Sequence, residues 1–169
     1  MKQIAPLNLL EIELADAGMT ARAGGVLAGL ALPRDILALW GDLGAGKTTL
    51  ARGFITTLVP GDEAVASPTF TLVQTYSTEV ASAPVDIWHF DLYRLKSAEE
   101  AYEVGIEEAF ADGISLIEWP VRLGSLLPRD RLDVTLLAGS GGDSRFLSLA
   151  GSEPWVRRLG GFKAALLGK

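Results

Sequence analysis

Cysteine is absent from this chain of 169 residues, which removes disulfides, zinc–thiolate sites, iron–sulfur clusters and cysteine nucleophiles from the possible chemistries. Asparagine occurs once, at Asn8, so the Asn-Lys-x-Asp signature that reads a guanine edge cannot be present. No apolar run approaches the ~18 residues that a membrane span needs. Residues 1–10 hold one lysine and no long apolar stretch, so they do not read as a signal peptide. A cytoplasmic protein with no membrane partner is expected. Positive charge is also scarce: 15 Lys and Arg stand against 21 Asp and Glu, a net charge of −6. A protein that grips nucleic acid unaided is usually basic, so any RNA would be held by something else.

What the chain does contain is the material of a globular domain. It is 49% hydrophobic and 21% charged, and its length suits one domain, 1–169, with a sheet covered by helices. The informative stretch is residues 36–50, I-L-A-L-W-G-D-L-G-A-G-K-T-T-L. An apolar strand pattern breaks at Gly41, Gly46-Lys47-Thr48 follows, and a helical pattern begins. This is G-x-x-x-x-G-K-[ST] between a strand and a helix, the context that a phosphate-binding loop requires. Gly41, Gly44 and Gly46 permit a curl that turns backbone N–H groups inward, and the helix start adds unpaired amides and a positive dipole end. Leu43, Gly44, Ala45, Gly46, Lys47, Thr48 and Thr49 are thus the candidate nucleotide-binding residues. Lys47 would reach the β- and γ-phosphates, and the Thr48 hydroxyl suits Mg²⁺.

Periodicity supplies the surrounding elements. Residues 9–14 read as a half-buried strand. Asp16 and Thr20 are possible helix-start residues before a helix over 21–32. Residues 36–40 form the central strand, and 48–58 a helix with Leu50, Phe54 and Leu58 on one stripe. Pro60-Gly61-Asp62 is a turn. Residues 70–76 and 85–90 read as an antiparallel pair joined by a small-residue connection over 77–84. Ser97-Ala98-Glu99-Glu100 is a capping-box pattern opening a helix toward Val104, with a further short turn at 106–110. Residues 114–117 are a buried strand, 131–137 and 145–150 two late strands, and 154–167 a terminal helix. The fold class is α/β: a three-layer P-loop NTPase domain with a mixed sheet. Its parallel centre is 36–40 beside 114–117, and antiparallel strands come from 70–90 and 131–150.

Hydrolysis needs an acid near the metal and a group that orients water. Glu118, at the end of a strand that reads as fully buried and parallel, is preferred for the metal shell. Asp91 then orients or deprotonates water, or meets Mg²⁺ through water. The catalytic candidates are therefore Asp91, Lys47 and Glu118, and the metal ligands Thr48 and Glu118. His89, the one histidine, reads first as a hydrogen-bonded strand residue between Trp88 and Phe90. Arg94 is as suited to an ion pair with a helix acid as to phosphate, and core packing is the simpler account of Trp119. Without the guanine signature, adenine nucleotide is favoured.

Together G-D-L-G-A-G-K-T-T (41–49), S-P-T-F (67–70), H-F-D-L-Y-R-L (89–95), V-G-I-E-E (104–108) and I-E-W-P (117–120) resemble the TsaE family, also known as the YjeE and YdiB ATPases. The resemblance covers roughly residues 10–150. It implies an ATPase, using ATP and Mg²⁺, required for threonylcarbamoyladenosine at position 37 of tRNA. Such a protein works with a TsaB–TsaD complex that it resets between turnovers, and it meets tRNA only through those partners. By motif, 43–48 would hold phosphates, Thr48 and Glu118 the metal, and Asp91 and Trp119 fall on positions important to the family. Residues 67–70 resemble a nucleotide-sensing switch, and Ala17 to Thr20 would lie near adenine. Many relatives carry an acid after the proline of I-E-W-P; here it is Val121. Turnover alone should be slow, because no arginine finger is evident. Two rivals share the loop. One is a small-molecule or nucleotide kinase, against which the scattered arginines argue. The other is a scaffold that binds ATP without hydrolysing it.

Overall fold

A computed structural model of the chain describes residues 7–61 and 65–169. Residues 1–6 of the amino-terminal stretch and Asp62 of the turn expected at 60–62 lie outside the described residues. Among the described residues seven strands form one sheet: β1 (Leu7–Leu14), β2 (Ile36–Trp40), β3 (Val73–Val80), β4 (Ala83–Asp91), β5 (Ile114–Glu118), β6 (Leu132–Ala138) and β7 (Arg145–Gly151). The helices are α1 (Ala17–Leu30), α2 (Lys47–Leu58), α3 (Ile106–Asp112), α4 (Glu153–Arg158) and α5 (Phe162–Leu167). Short 3-10 segments cover Ala98–Val104, Pro120–Leu126 and Leu159–Gly161.

The strand order is β1-β7-β6-β2-β5-β4-β3. β2 runs parallel to both β5 and β6, and β4 runs parallel to β5. Antiparallel pairing is confined to β3 on β4, β7 on β6, and β1 on β7. The parallel centre is thus four strands wide, broader than the pair expected from sequence. β4 and β6 join it because the chain crosses over before β5 and again before β6. The first crossover uses Ala98–Val104 and α3; the second uses only the 3-10 segment Pro120–Leu126 and a loop. The expectation that 70–90 and 131–150 add antiparallel strands is thus corrected at both β4 and β6; the second crossover has no long helical pattern to announce it.

Other departures have local causes. The β3–β4 connection expected over 77–84 is strand almost throughout, with paired register from Val73↔Phe90 to Val80↔Ala83. Only Ala81 and Ser82 turn, both left-handed at φ 52° and 63°, which is the primed hairpin geometry that matches strand twist. Residues 70–72 are not strand; Leu72 N–H closes a turn onto Pro68 O at 2.7 Å. α1 starts at Ala17, earlier than expected, because Asp16 caps it by accepting from Met19 N–H at 2.8 Å. Ser97 makes no side-chain cap bond, and a 3-10 helix follows it. The single terminal helix is instead α4, a 3-10 turn and α5, broken where Gly160 and Gly161 disfavour helix.

Two apolar clusters sandwich the sheet. Leu27, Leu50, Phe54, Leu116 and Phe162 belong to the larger one, with α1, α2 and α5. Ile36, Phe90, Ile106 and Ile117 belong to the other, with α3 and the 3-10 segments Ala98–Val104 and Pro120–Leu126. Burying each such side chain stabilises the fold by about 1.5–3 kcal/mol. α1 and α2 cross at Gly24 and Gly53, where an added Cβ would strike the Leu50 and Ala21 carbonyls respectively. That close crossing fixes α2, and with it the turn that precedes it.

Candidate functional site

Residues 41–46 link the carboxyl end of β2 to the amino end of α2. The turn depends on glycine at two points. Gly41 has φ 142°, and a Cβ there would lie 2.5 Å from Leu136 O. Gly46 caps α2 in the left-handed region at φ 106°, where an L side chain is strained. The Lys47 side chain folds back inside the turn, donating to Gly41 O at 2.6 Å and Asp42 O at 2.8 Å. Its ammonium also lies 4.2 Å from the centroid of the Trp119 ring. Burial holds the Lys47 pKa below its usual 10.5, opposed by the negative charges of Glu118, Asp91 and Asp42.

The strand ends bring the acids to this turn. Glu118 closes β5 and is 2% exposed; it pairs with Leu39 on one side and Asp91 on the other. Thr48 Oγ1, in the first turn of α2, lies 2.9 Å from Glu118 Oε1 and 3.0 Å from Oε2. His89 sits two residues before Asp91, on the same face of β4. Its Nε2 is 2.8 Å from Glu118 Oε1. A carboxylate can only accept, so Nε2 carries the hydrogen. Nδ1 is buried and has no hydrogen-bond partner among the described residues, and His89 itself is 0% exposed. The strand role read from sequence holds for His89, with Glu118 as the partner that sequence could not name. Asp91 is engaged differently: Oδ2 accepts from Thr69 Oγ1 and Oδ1 from Tyr93 N–H, each at 3.1 Å.

One cleft collects these groups. Residues 43–49 form one wall, and Ser67, Thr69, Asp91, Tyr93, Glu118 and Trp119 the other. All the candidate binding, catalytic and metal positions therefore meet in one place. Trp119 is not simply core; it is half-buried and tilted against Tyr93 with ring centroids 4.9 Å apart. Its backbone is left-handed, φ 58° and ψ 49°, an outlier for a bulky residue and of the kind that clusters at functional sites. Arg94 lies 4.5 Å from the centroid of the exposed Phe70 ring, and among the described residues it makes no ion pair with a helix acid. Ala17 to Thr20 do not line the cleft. Thr20 is buried, its methyl facing Gly46.

The structure also adds residues that sequence reasoning passed over. Arg145, the first residue of β7, donates from Nε to Ala45 O at 3.0 Å and from Nη2 to Gly44 O at 3.2 Å. Glu13 of β1 accepts at Oε1 from Ser140 N–H at 2.9 Å and from the Ser140 hydroxyl, and Ser144 Oγ lies 3.1 Å from the same oxygen. The Ser140 hydrogen bonds lower the Glu13 pKa below 4.5. No motif marks these residues. The only sequence signal was the glycine- and serine-rich connection between two late strands.

A family model described as "Threonylcarbamoyl adenosine biosynthesis protein TsaE" matches residues 14–145. The chain is 45% identical over 104 residues to the tRNA threonylcarbamoyladenosine biosynthesis protein TsaE of Rickettsia bellii, covering 62% of this chain and 69% of that one. Against the protein of the same name from Bacillus subtilis it is 38% identical over 119 residues, covering 70% of each. The chain spans about two thirds of the length of these curated relatives. Among solved structures, B. subtilis YdiB superposes with a TM-score of 0.69 at 27% identity, covering 94% of both chains.

Proposed function

This chain belongs to the TsaE family of threonylcarbamoyl adenosine biosynthesis proteins, and from that premise we propose that it binds ATP with Mg²⁺ in the cleft at the end of β2 and hydrolyses it. In this reading it serves a TsaB–TsaD-type complex that modifies position 37 of tRNA, and it meets the tRNA only through that complex. The observation that carries the reading is the Thr48–Glu118 pair: a helix-start hydroxyl and a strand-end carboxylate within 3.0 Å, beside a lysine curled into a glycine-hinged turn.

The residues present fit the nucleotide and its cation. Thr48 and Glu118 offer hard oxygens side by side, and Mg²⁺ is ordinarily held by one or two protein groups together with phosphates and water. The amino end of α2 and the amides of 43–48 would hold the phosphates. When bound, ATP–Mg²⁺ supplies a phosphoanhydride and the cation that neutralises charge on it. Lys47 neutralises the same region with its ammonium, already desolvated and kept in place by two carbonyls and the Trp119 face. Both Glu118 oxygens face Thr48, which leaves water orientation to Asp91. Each Asp91 oxygen accepts one hydrogen bond from the protein and retains a lone pair that can accept from water.

Among the described residues no helix is long and apolar enough to cross a membrane. Exposed apolar side chains flank the cleft instead: Leu43 is 80% and Phe70 82% exposed. Large exposed apolar groups of this kind suit a protein partner. The deciding experiment incubates the chain with ATP, Mg²⁺ and candidate acceptors. Free phosphate released by wild type and lost in Lys47→Ala is the expected result. Phosphorylated acceptor without free phosphate would overturn the ATPase reading in favour of a kinase.

A further inference from the structure

The outer side of the phosphate-loop turn is gripped by the Arg145 side chain. Arg145 forks into two directions. Nε and Nη2 donate to Ala45 O and Gly44 O at 3.0 and 3.2 Å, while Nη1 donates to Ser144 O at 2.8 Å and reaches Gly142 O at 3.5 Å. The C=O and N–H of a trans peptide point in opposite directions. Carbonyls 44 and 45 held outward therefore turn the N–H groups of Ala45 and Gly46 inward. The inward aim is visible at Ala45, whose N–H reaches Asp42 O at 3.1 Å, the same carbonyl that receives Lys47.

Arg145 is in turn braced from the sheet edge. Leu14 of β1 pairs with Arg145 of β7, and the adjacent Glu13 holds Ser140 and Ser144 of the loop that delivers Arg145. A chain of contacts thus runs from the edge strand through the β6–β7 loop to the back of the turn. Resting on the nucleotide-binding reading above, we propose that Arg145 is a positioning residue. It orients the peptide units of 44–46 so that their amides face the bound phosphates, and it does not itself touch the nucleotide. The guanidinium is suited to this task, because a fixed planar fork can hold two adjacent carbonyls at once, whereas an ammonium is a point donor.

The test uses the full ¹⁵N-labelled chain. In nucleotide-free protein, Arg145→Gln should shift the Ala45 and Gly46 amide resonances and speed their hydrogen exchange, with the amides of β2 and β5 unchanged. ATP should then bind about tenfold more weakly, the effect of losing charge-assisted hydrogen bonds. Arg145→Lys should recover part of both effects. Glu13→Gln, which leaves the arginine intact, should reproduce them in smaller degree and serves as the second variant if Arg145→Gln does not fold. Unaltered Ala45 and Gly46 amides, or a nucleotide affinity equal to wild type, would overturn the proposal. Failure of wild type to bind ATP would sink the nucleotide reading instead, and the amide measurements in free protein keep the two failures apart.

Discussion

The two sides of the turn at residues 41–46 are held by different means. On the inner side a lysine six residues along the chain folds back onto Gly41 O, and Thr48 meets Glu118 from a strand end. On the outer side the partner is Arg145, a hundred positions from Ala45, held by a brace that begins at β1. The inner side gathers the residue types to which the proposed function gives a task toward phosphate or cation, Lys47 from close by and Glu118 from 70 positions beyond Thr48. The outer side is remote and supports only the shape of the backbone. On the proposed function, the inner groups would carry the chemistry and the outer ones would set how well they are aimed.

The contrast can be broken most sharply from within. Lys47→Ala should weaken ATP binding by about a hundredfold or more, since a desolvated charge-assisted contact is lost; calorimetric titration measures it. Near-wild-type affinity would mean that the inner side does not hold the nucleotide. Glu118→Ala should lower Mg²⁺-dependent phosphate release by roughly a hundredfold while changing nucleotide affinity much less. Hydrolysis that survives this change but fails in Asp91→Ala would exchange the roles of the two acids. At the junction of the two sides, Gly41→Ala should destabilise the fold by about 1–3 kcal/mol, because the new Cβ meets Leu136 O and the backbone stays at positive φ. Denaturant unfolding would reveal it, and no change would mean that the turn relaxes freely. The smallest effect belongs to the outer brace. The Glu13 pKa is lowered in the fold, so its stabilisation is present above the unfolded value of 4.5 and is lost as pH falls through the folded value. The Tm difference between wild type and Glu13→Gln should therefore be small near neutrality and close on acidification; a gap that widens in acid would contradict the brace.

The same division explains what could be read in advance. The strand, turn and helix around residues 41–46 were legible because the motif lies within eight consecutive positions and the flanking elements have their own periodicity. β2 was anticipated to the residue, Ile36–Trp40. Glu118 and Asp91 were legible as acids at strand ends, but not as register partners, since pairing is a property of the sheet. His89 was legible as a strand residue, whereas its bond to Glu118 needed β4 and β5 to be set side by side. Arg145 and Glu13 were not legible, because the β1–β7 register that brings them together joins opposite ends of the chain. The parallel pairing of β6 on β2 is hidden from the sequence for a related reason: a 3-10 segment and loop make a crossover that sequence patterns associate with helices.

Trp119 raises a final consequence. A left-handed backbone costs a residue with a side chain about 1–2 kcal/mol relative to its preferred conformation, and glycine would bear almost none of that. Trp119→Gly would relieve the backbone yet strip the indole from beside Lys47 and Tyr93. The packing lost with the indole, which lies against the second apolar cluster, is worth about 3–5 kcal/mol and outweighs that relief, so the ring itself holds the backbone in its strained conformation. At this position the side chain and the strained backbone are coupled: the contacts of the one keep the other in place.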